Sequence, residues 1–327
     1  MKQKIILDVD TGSDDAIAII TALLSEELEV LGITTVNGNL PVENTTENTL
    51  RIVDALGSTV PVYKGCETTL VADLYTTRRI KPIPKIDDEG NAIDYHSEFL
   101  NLEPSKTKVQ DKNAVCFIID TIMKSDNDII LVPVGPLTNI ATAMRAEPRL
   151  AKKIKKIILM GGGYRIGNMT PVAEFNIWTD PEAAQIVLTS GCEVLLVPLD
   201  ATHAGYMTHQ QSIEYRKINT IPSNIMADLI DERITAYEFL QPMEVSGSAP
   251  IHDALALCAV IDETVLKDIR FMRIEVDFGG GLCDGMTVVD ERPIVELPKN
   301  AYMALGCNRE KFINMITERL IKNQLQK

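Results

Sequence analysis

Five short apolar runs limit the folds that are open to this chain of 327 residues. Continuous runs of Val, Ile and Leu are typical of strands that are buried on both faces of a parallel sheet. Helical stretches separate the runs; in one of them Asp180 can cap, Pro181 can begin the helix and Gly191 can end it. The alternation predicts an α/β fold with a doubly wound, mostly parallel central sheet flanked by helices. The runs are KIILDVD (4–10), EVLGITTV (29–36), DIILVPVG (128–135), KIILMGGG (156–163) and EVLLVPLD (193–200).

Two segments break this alternation. Residues 67–111 are rich in charge, Pro and Thr, and residues 203–248 are mostly helical in pattern. Both are predicted to be lid-like insertions that flank a site. The chain has no Gly/Ser linker and no internal repeat, so residues 1–327 are predicted to form a single domain.

Composition excludes several classes of partner. The net charge of -14 and the pI near 4.8 argue against nucleic acid and anionic membranes, because binding them requires clustered Lys and Arg. The first apolar stretch is too short for a signal peptide, and no apolar window is long enough to span a bilayer. A cytoplasmic protein is therefore expected. Scattered cysteines without a C-x-x-C pair predict buried free thiols at positions 66, 116, 192, 258, 283 and 307.

Four aspartates occupy eight positions where the first strand gives way to a helix: Asp8, Asp10, Asp14 and Asp15. At about 4 Å and an effective dielectric near 20, each carboxylate pair repels by roughly 4 kcal/mol. A helix N-terminus stabilises a nearby carboxylate by only about 0.3 to 1 kcal/mol, which is less than this repulsion. Either some protons are retained or a hard cation such as Ca²⁺ or Mg²⁺ is bound. The simpler alternative is a solvated acidic turn in which one aspartate caps the helix.

Two further stretches carry chemistry-bearing residues. The Gly-rich segment at 161–176 brings Asn168, Glu174 and Asn176 into one loop, a polar set suited to the hydroxyls of a sugar or to an ordinary loop. No helix follows its glycines at once, which argues against a dinucleotide site. His252 and Asp253 stand at the start of an apolar helix, where the aspartate could also be only a cap and the histidine a loop residue.

Together these stretches resemble the inosine-uridine nucleoside hydrolase family. The matching blocks run in family order over nearly the whole chain. They are DVDTGSDD (8–15), NGN (37–39), PVGPLTNIATA (133–143), MGGGYRIGN (160–168), PVAEFNIWTDPEAA (171–184), IHDALAL (251–257) and DGMTVVD (284–290). The resemblance implies the Rossmann-like nucleoside hydrolase fold and hydrolysis of the N-glycosidic bond of a ribonucleoside to free base and ribose.

The family's site residues transfer to this sequence by position. The resemblance implies that one Ca²⁺ is held by the side chains of Asp10, Asp15 and Asp253 and by the carbonyl of Val134. Asp10 is also the implied general base, and His252 is implied at the leaving base, as an acid or as a contact. The residues implied to hold the ribose are Asp14, Asn39, Asn168, Glu174 and Asn176. Family members are commonly homodimers or homotetramers, and the sequence does not choose between them.

The chain departs from the family in two places. A glycine-patterned H-G-x-x-G loop is missing within 67–111, where His96 is either a substitute or a surface residue, and Asp284 stands where an arginine is common. The first departure leaves the base open: purine, pyrimidine and modified nucleosides such as queuosine all fit. Two alternatives to the enzyme are a non-catalytic nucleoside- or Ca²⁺-binding homologue and a haloacid-dehalogenase-like phosphatase. The phosphatase motif requires Thr or Ser at the position of Gly12.

Overall fold

The computed structural model describes residues 2–75, 78, 86, 95–294 and 297–325. The strands in these ranges are β1 (Gln3–Val9), β2 (Leu28–Thr35), β3 (Val62–Lys64), β4 (Ile129–Pro133), β5 (Lys156–Met160), β6 (Val194–Val197), β7 (Tyr206–Thr208), β8 (Ser248–Pro250), β9 (Leu266–Val276), β10 (Thr287–Asp290) and β11 (Ala301–Cys307). The α-helices are α1 (Ser13–Leu23), α2 (Val42–Ala55), α3 (Ala114–Met123), α4 (Thr138–Ala146), α5 (Phe175–Thr179), α6 (Pro181–Leu188), α7 (Leu199–Thr202), α8 (His209–Ile218), α9 (Ile221–Leu240), α10 (His252–Ile261) and α11 (Arg309–Leu325). Short 3₁₀ turns cover Ala72–Leu74, Leu150–Lys152 and Glu263–Val265.

One nine-stranded sheet organises the molecule, with the strand order β10-β9-β11-β6-β5-β4-β1-β2-β3. The pairs from β11 to β3 are parallel, whereas β9 and β10 pair antiparallel at one edge. β7 and β8 form a separate antiparallel pair. The doubly wound, mostly parallel sheet predicted from the sequence is confirmed. Chain order reverses on either side of β1, so the loops after β1 and β4 lie side by side at the carboxyl edge, where ligands bind in such sheets.

Residues of β1 show why the apolar runs are continuous. Ile5, Leu7 and Val9 pack in the core on one face of the sheet, while Ile6 packs in the core on the other. A strand between two helical layers must be apolar on both faces, because side chains alternate between them. All five predicted strands are present. Within the nine-stranded sheet, the strands that the runs did not predict are the three-residue β3 and three strands toward the other edge. One of these, β9 (LKDIRFMRIEV), mixes apolar with charged residues. The separate pair of β7 and β8 was not predicted either.

The prediction for 203–248 is confirmed as to helix content, since α8 and α9 fill most of it. Part of the segment 67–111 lies outside the described residues, so the lid-like role of both insertions and the single-domain assignment stay predictions. In the described ranges, no helix is long and apolar enough to cross a membrane.

All six cysteines are free thiols, as predicted. The prediction that they are buried is wrong for Cys116 and Cys283, which are exposed, and Cys66 is half-buried. Cys116 lies between the buried Ala114 and Phe117 on α3 but is itself exposed, because successive helical positions face different directions. Cys283 belongs to the turn that precedes Asp284.

Candidate active site

The loops after β1, β2 and β4 converge on the carboxylate of Asp10, which is buried just beyond the end of β1. Its Oδ2 accepts a hydrogen bond from the backbone N–H of Asn39 at 2.8 Å. A Cβ atom at Gly38 would lie 2.1 Å from this oxygen, and one at Gly135 would lie 2.6 Å from Oδ1. Any side chain at either position would collide with the carboxylate. The glycines of the NGN and PVG motifs therefore leave room for Asp10.

Asp15 fixes the turn that leads from β1 into α1. Its carboxylate accepts from the backbone N–H of Asp10 at 3.1 Å and from that of Gly12 at 3.0 Å. The side-chain amide of Asn39 donates to the same group at 3.1 Å. Burial and the nearby Asp14 raise the pKa of Asp15 to about 6, although these hydrogen bonds favour the ionised form. Asp15 thus ties the Asp10 turn to the start of the helix.

Asp14, Asp15 and Asp253 form a compact group, called the acidic cluster below. Each offers an oxygen, these oxygens lie within 4.8 Å of one another, and all three side chains are buried. Burial, followed by the charges of Asp14, Asp15 and Asp10, raises the pKa of Asp253 well above its ordinary value. Buried like charges at this spacing are stabilised by a cation, and an all-oxygen donor set suits a hard ion such as Ca²⁺ or Mg²⁺. The cluster therefore fits a metal ion.

The four predicted metal ligands have different surroundings. Asp15 and Asp253 belong to the acidic cluster, and Asp10 adjoins it through Asp15. Burial, followed by the charge of Asp15, raises the pKa of Asp10 well above its ordinary value. The carbonyl of Val134 accepts from the side-chain amide of Asn176 at 2.7 Å. Asp14, predicted for the ribose, stands within the cluster itself.

Asp8 has a different environment from the other three aspartates of its motif. Its carboxylate accepts from the hydroxyl of Thr34 and, at 2.8 Å, from the amide of Asn139. Burial raises its pKa to about 7. Its backbone carbonyl accepts from the N–H of Val134 at 2.8 Å. Asp8 therefore supports the site through the strand backbone, by holding Val134.

Glu174 and Asn176 organise the Gly-rich segment. Glu174 caps α5, where its two oxygens accept from the backbone N–H groups of Asn176, Gly162 and Ile177. Burial raises the pKa of Glu174 to about 7 against these bonds. Asn168 is exposed, and its side-chain oxygen accepts from the backbone N–H of Phe175 beside Glu174.

The DGM motif holds α5 in place from the opposite side. Gly285 has a φ of +84°, and a Cβ there would lie 2.6 Å from the Cα of Trp178 in α5. Met286 forms a β-bridge with Ala173, next to Glu174. Glycine is required at 285 because the backbone is left-handed and the helix approaches closely. The motif thereby positions the helix that carries Asn176.

His252 belongs to a buried hydrogen-bonded chain. Its Nε2 lies 2.7 Å from the hydroxyl of Tyr237, and its Nδ1 lies 2.7 Å from the hydroxyl of Thr202. Burial lowers the pKa of His252 well below its ordinary value, so the ring is neutral. Each ring nitrogen of His252 is therefore already bonded to a hydroxyl. Neither Tyr237 nor Thr202 is among the site residues that the resemblance implies.

Arg233 is a site residue that the sequence did not predict. Its side chain is 2% exposed, and its Nη1 donates to Asp14 Oδ1 at 2.8 Å. Burial is the largest influence and raises the pKa of Asp14, but the Arg233 guanidinium and the other favourable interactions together outweigh it, so the net effect is a lowered pKa. The indication for Arg233 in the sequence was its position as a charged residue on the apolar face of α9, four positions before Tyr237.

His96 and Asp284, the two departures from the family pattern, both have close partners. His96 is half-buried against the start of α1, where its Nδ1 accepts from the backbone N–H of Ser13 at 3.1 Å. Asp284 receives both arms of the Arg78 guanidinium, at 2.9 and 2.8 Å. Arg78 also donates to Glu182 and to the carbonyl of Phe278. An arginine from a distant segment thus meets the aspartate that replaces the family's arginine.

Removing Arg78 is expected to destabilise the fold strongly. Arg78→Met would remove the ion pairs that the Arg78 guanidinium forms with Asp284 and Glu182, whose side chains are 6% and 16% exposed. Breaking a buried ion pair on one side costs about 3 to 5 kcal/mol. Urea unfolding would measure this loss against Arg149→Met, which removes an exposed ion pair with Glu147 and should change little. Equal stability of the two variants would contradict the prediction.

Comparison with known proteins bears on what this site does. The family model described as "Inosine-uridine preferring nucleoside hydrolase" matches residues 5–314. The chain belongs to this family. It is an N-ribosyl hydrolase, and the haloacid-dehalogenase-like alternative is thereby wrong. The family is metal-dependent, which agrees with the acidic cluster.

Relatives of this nucleoside hydrolase differ in the bases that their names give. The chain is 40% identical over 324 residues to the inosine-uridine preferring nucleoside hydrolase of Leishmania major, covering 98% of each chain. It is 36% identical to the pyrimidine-specific ribonucleoside hydrolase RihB of Escherichia coli, covering 97% of this chain and 96% of that one. The solved purine-preferring ribonucleoside hydrolase from Gardnerella vaginalis has 34% identity and a TM-score of 0.86, covering 99% and 100% of the two chains.

Proposed function

We propose that the protein hydrolyses the N-glycosidic bond of ribonucleosides to free base and ribose, with a calcium ion held at the acidic cluster. The observation that carries the proposal is the set of three buried carboxylates beside Asp10. Asp10, Asp15, Asp253 and the Val134 carbonyl are the proposed ligands. When bound, the ion supplies positive charge that makes a neighbouring water easier to deprotonate.

Asp10 is the proposed general base. In the metal-free fold, burial and the adjacent Asp15 raise its pKa, whereas a bound cation would favour the ionised carboxylate, which is the form that accepts a proton from the attacking water. The hydrogen bond from the Asn39 backbone N–H to Oδ2 orients the carboxylate. A base held in one orientation loses little entropy when it enters the transition state.

Ribose binding is assigned to Asp14, Asn39, Asn168, Glu174 and Asn176. Carboxylate and amide oxygens accept from sugar hydroxyls, while amide N–H groups donate to them. Glycoside hydrolysis passes through a state in which the sugar carries positive charge. Buried carboxylates stabilise that charge more than water does, because they are already oriented and face a low dielectric. Asp14 and Glu174 are the two buried carboxylates that we assign to this stabilisation.

The departing base gains negative charge and leaves more readily when it is protonated. Because His252 is bonded through both nitrogens, we assign proton delivery to the chain of Tyr237, His252 and Thr202 rather than to a free histidine. In this scheme the Tyr237 hydroxyl gives its proton to the departing base, and a hydrogen bond from His252 Nε2–H stabilises the tyrosinate until it takes a proton from solvent. The Thr202 hydroxyl donates a hydrogen bond to Nδ1, which fixes the neutral ring with its proton on Nε2.

Inosine and uridine are the substrates that we propose to test first, since the name of the relative from Leishmania major mentions both nucleosides. The pyrimidine and purine preferences named for other relatives set the range to be tested. Homodimer or homotetramer assembly and a cytoplasmic location stay predictions. A non-catalytic homologue is the second candidate, and the assay below separates it from the enzyme.

A nucleoside panel tests the proposal. Inosine, uridine, adenosine, guanosine, cytidine and queuosine are incubated with the protein in excess calcium, and released ribose is measured as reducing sugar. Ribose release from at least one of them, lost on chelation and restored by calcium, is expected. Stabilisation by nucleosides without ribose release would identify a pure binder and contradict the proposal.

A further inference from the structure

Arg233 is anchored on both sides within the candidate site. On one side its Nη1 donates to Asp14 Oδ1 at 2.8 Å and to the Ser13 hydroxyl at 2.9 Å. On the other side its Nε and Nη2 both donate to the carbonyl of Pro250, at 3.2 and 3.0 Å. The guanidinium therefore connects the start of α1 with the strand that leads into α10. Its buried position and four donated bonds restrict it to one place.

The Arg233 charge opposes the charge of a metal ion at the acidic cluster. Asp14 is a member of that cluster, so a cation bonded to Asp14 repels a divalent ion placed beside it. A site built only to hold a metal would bind it more tightly without this arginine. The bonds of Arg233 therefore point to a second ligand that Asp14 must meet in a fixed orientation.

We propose that Arg233 is a positioning residue, which holds the Asp14 carboxylate in the orientation that receives a ribose hydroxyl. The inference rests on the proposed function, because it takes ribose as the ligand of Asp14. One Asp14 oxygen is engaged by the guanidinium, and the second is left for the sugar. Orientation fixed in advance lowers the entropy lost when the sugar binds.

The proposal predicts opposite effects on two ligands. In Arg233→Gln, Asp14 loses its charged partner and becomes free to turn toward the ion. Ribose affinity is expected to fall about tenfold or more, since a charge-assisted hydrogen bond no longer orients the carboxylate. Calcium affinity is expected to rise about threefold or more, because a neighbouring positive charge has been removed. For the nucleoside, KM should rise by a larger factor than kcat falls.

Two further variants separate positioning from general support of the fold. Arg233→Lys keeps the charge but cannot bond to Asp14 and Pro250 together, so calcium affinity should match the wild type while ribose affinity is partly restored. Arg319→Gln is the matched control. Arg319 is also buried, and it bonds to the Ser25 hydroxyl at 2.6 Å beyond the far end of α1. Its loss should lower stability without changing either affinity.

Isothermal titration with calcium alone, and then with ribose in excess calcium, measures both affinities directly, and thermal unfolding verifies that each variant is folded. Weaker ribose binding with equal or tighter calcium binding in Arg233→Gln supports the proposal. A joint weakening of both ligands, or no change in either, overturns it. Wild-type protein that neither binds ribose nor releases it from nucleosides would instead refute the proposed function, so the two failures are distinguishable.

Discussion

Asp10→Asn is expected to lower kcat for nucleoside hydrolysis by about 10³-fold or more. General base catalysis alone contributes about 10² to 10⁴. Asparagine has the same shape as aspartate but cannot accept a proton from water, and it carries no charge for the metal. The backbone of the site should be undisturbed, because the amide oxygen of asparagine can still accept from the Asn39 N–H.

Steady-state kinetics with inosine and uridine at saturating calcium would measure the loss. Asp180→Asn is a matched control: Asp180 is also buried, but it caps α6 by accepting from the N–H of Ala183. We expect that control to retain kcat within about threefold, since a helix N-cap contributes to the stability of the fold rather than to the reaction. Asp10→Asn with wild-type kcat would exclude Asp10 as the base.

Calcium removal is expected to abolish activity and to make stability fall with rising pH. The metal-free fold holds Asp8, Asp15 and Glu174 with pKa values raised to about 7, 6 and 7, and burial is the first cause in each case. Between their ordinary and raised pKa values, these acids bind more protons in the folded than in the unfolded chain. The contribution of these three groups to the stability of the metal-free protein is therefore largest near pH 4. It is lost as the pH rises to about 7.

Bound calcium should reverse part of this loss, because it favours the ionised carboxylates of the acidic cluster. At a concentration a thousand times its Kd it adds about 4 kcal/mol. Thermal unfolding at about pH 5 and about pH 8, with and without calcium, measures both effects. The stabilisation by calcium should be larger at the higher pH. A metal-free protein that grows more stable from pH 5 to pH 8, or equal calcium stabilisation at both, would contradict this prediction.

The sequence predicted the central strands because burial on both faces leaves a continuous apolar run, as in β1. It failed at the antiparallel edge, where β9 mixes charged and apolar residues and resembles an exposed segment. Asp10, Asp14 and Asp15 were predictable because their crowding is local. Only the resemblance to the family joined Asp253 to them.

The pairings of Arg233 and Arg78 could not have been predicted from the surroundings of these residues in the sequence. Arg233 bonds to an aspartate 219 positions away, and Arg78 to one 206 positions away. In a sequence, a single arginine within a helix or a charged loop is indistinguishable from one in solvent. Pairing across such separations appears only when the fold places the segments together.

The central claim, water-dependent cleavage of a ribonucleoside, is tested most directly by isotope incorporation. The calcium-loaded enzyme is incubated with inosine or uridine in water enriched in oxygen-18, and the masses of the products are measured by mass spectrometry. We expect free base together with ribose that carries the heavy isotope. Intact nucleoside, or release of base without labelled ribose, would contradict the account.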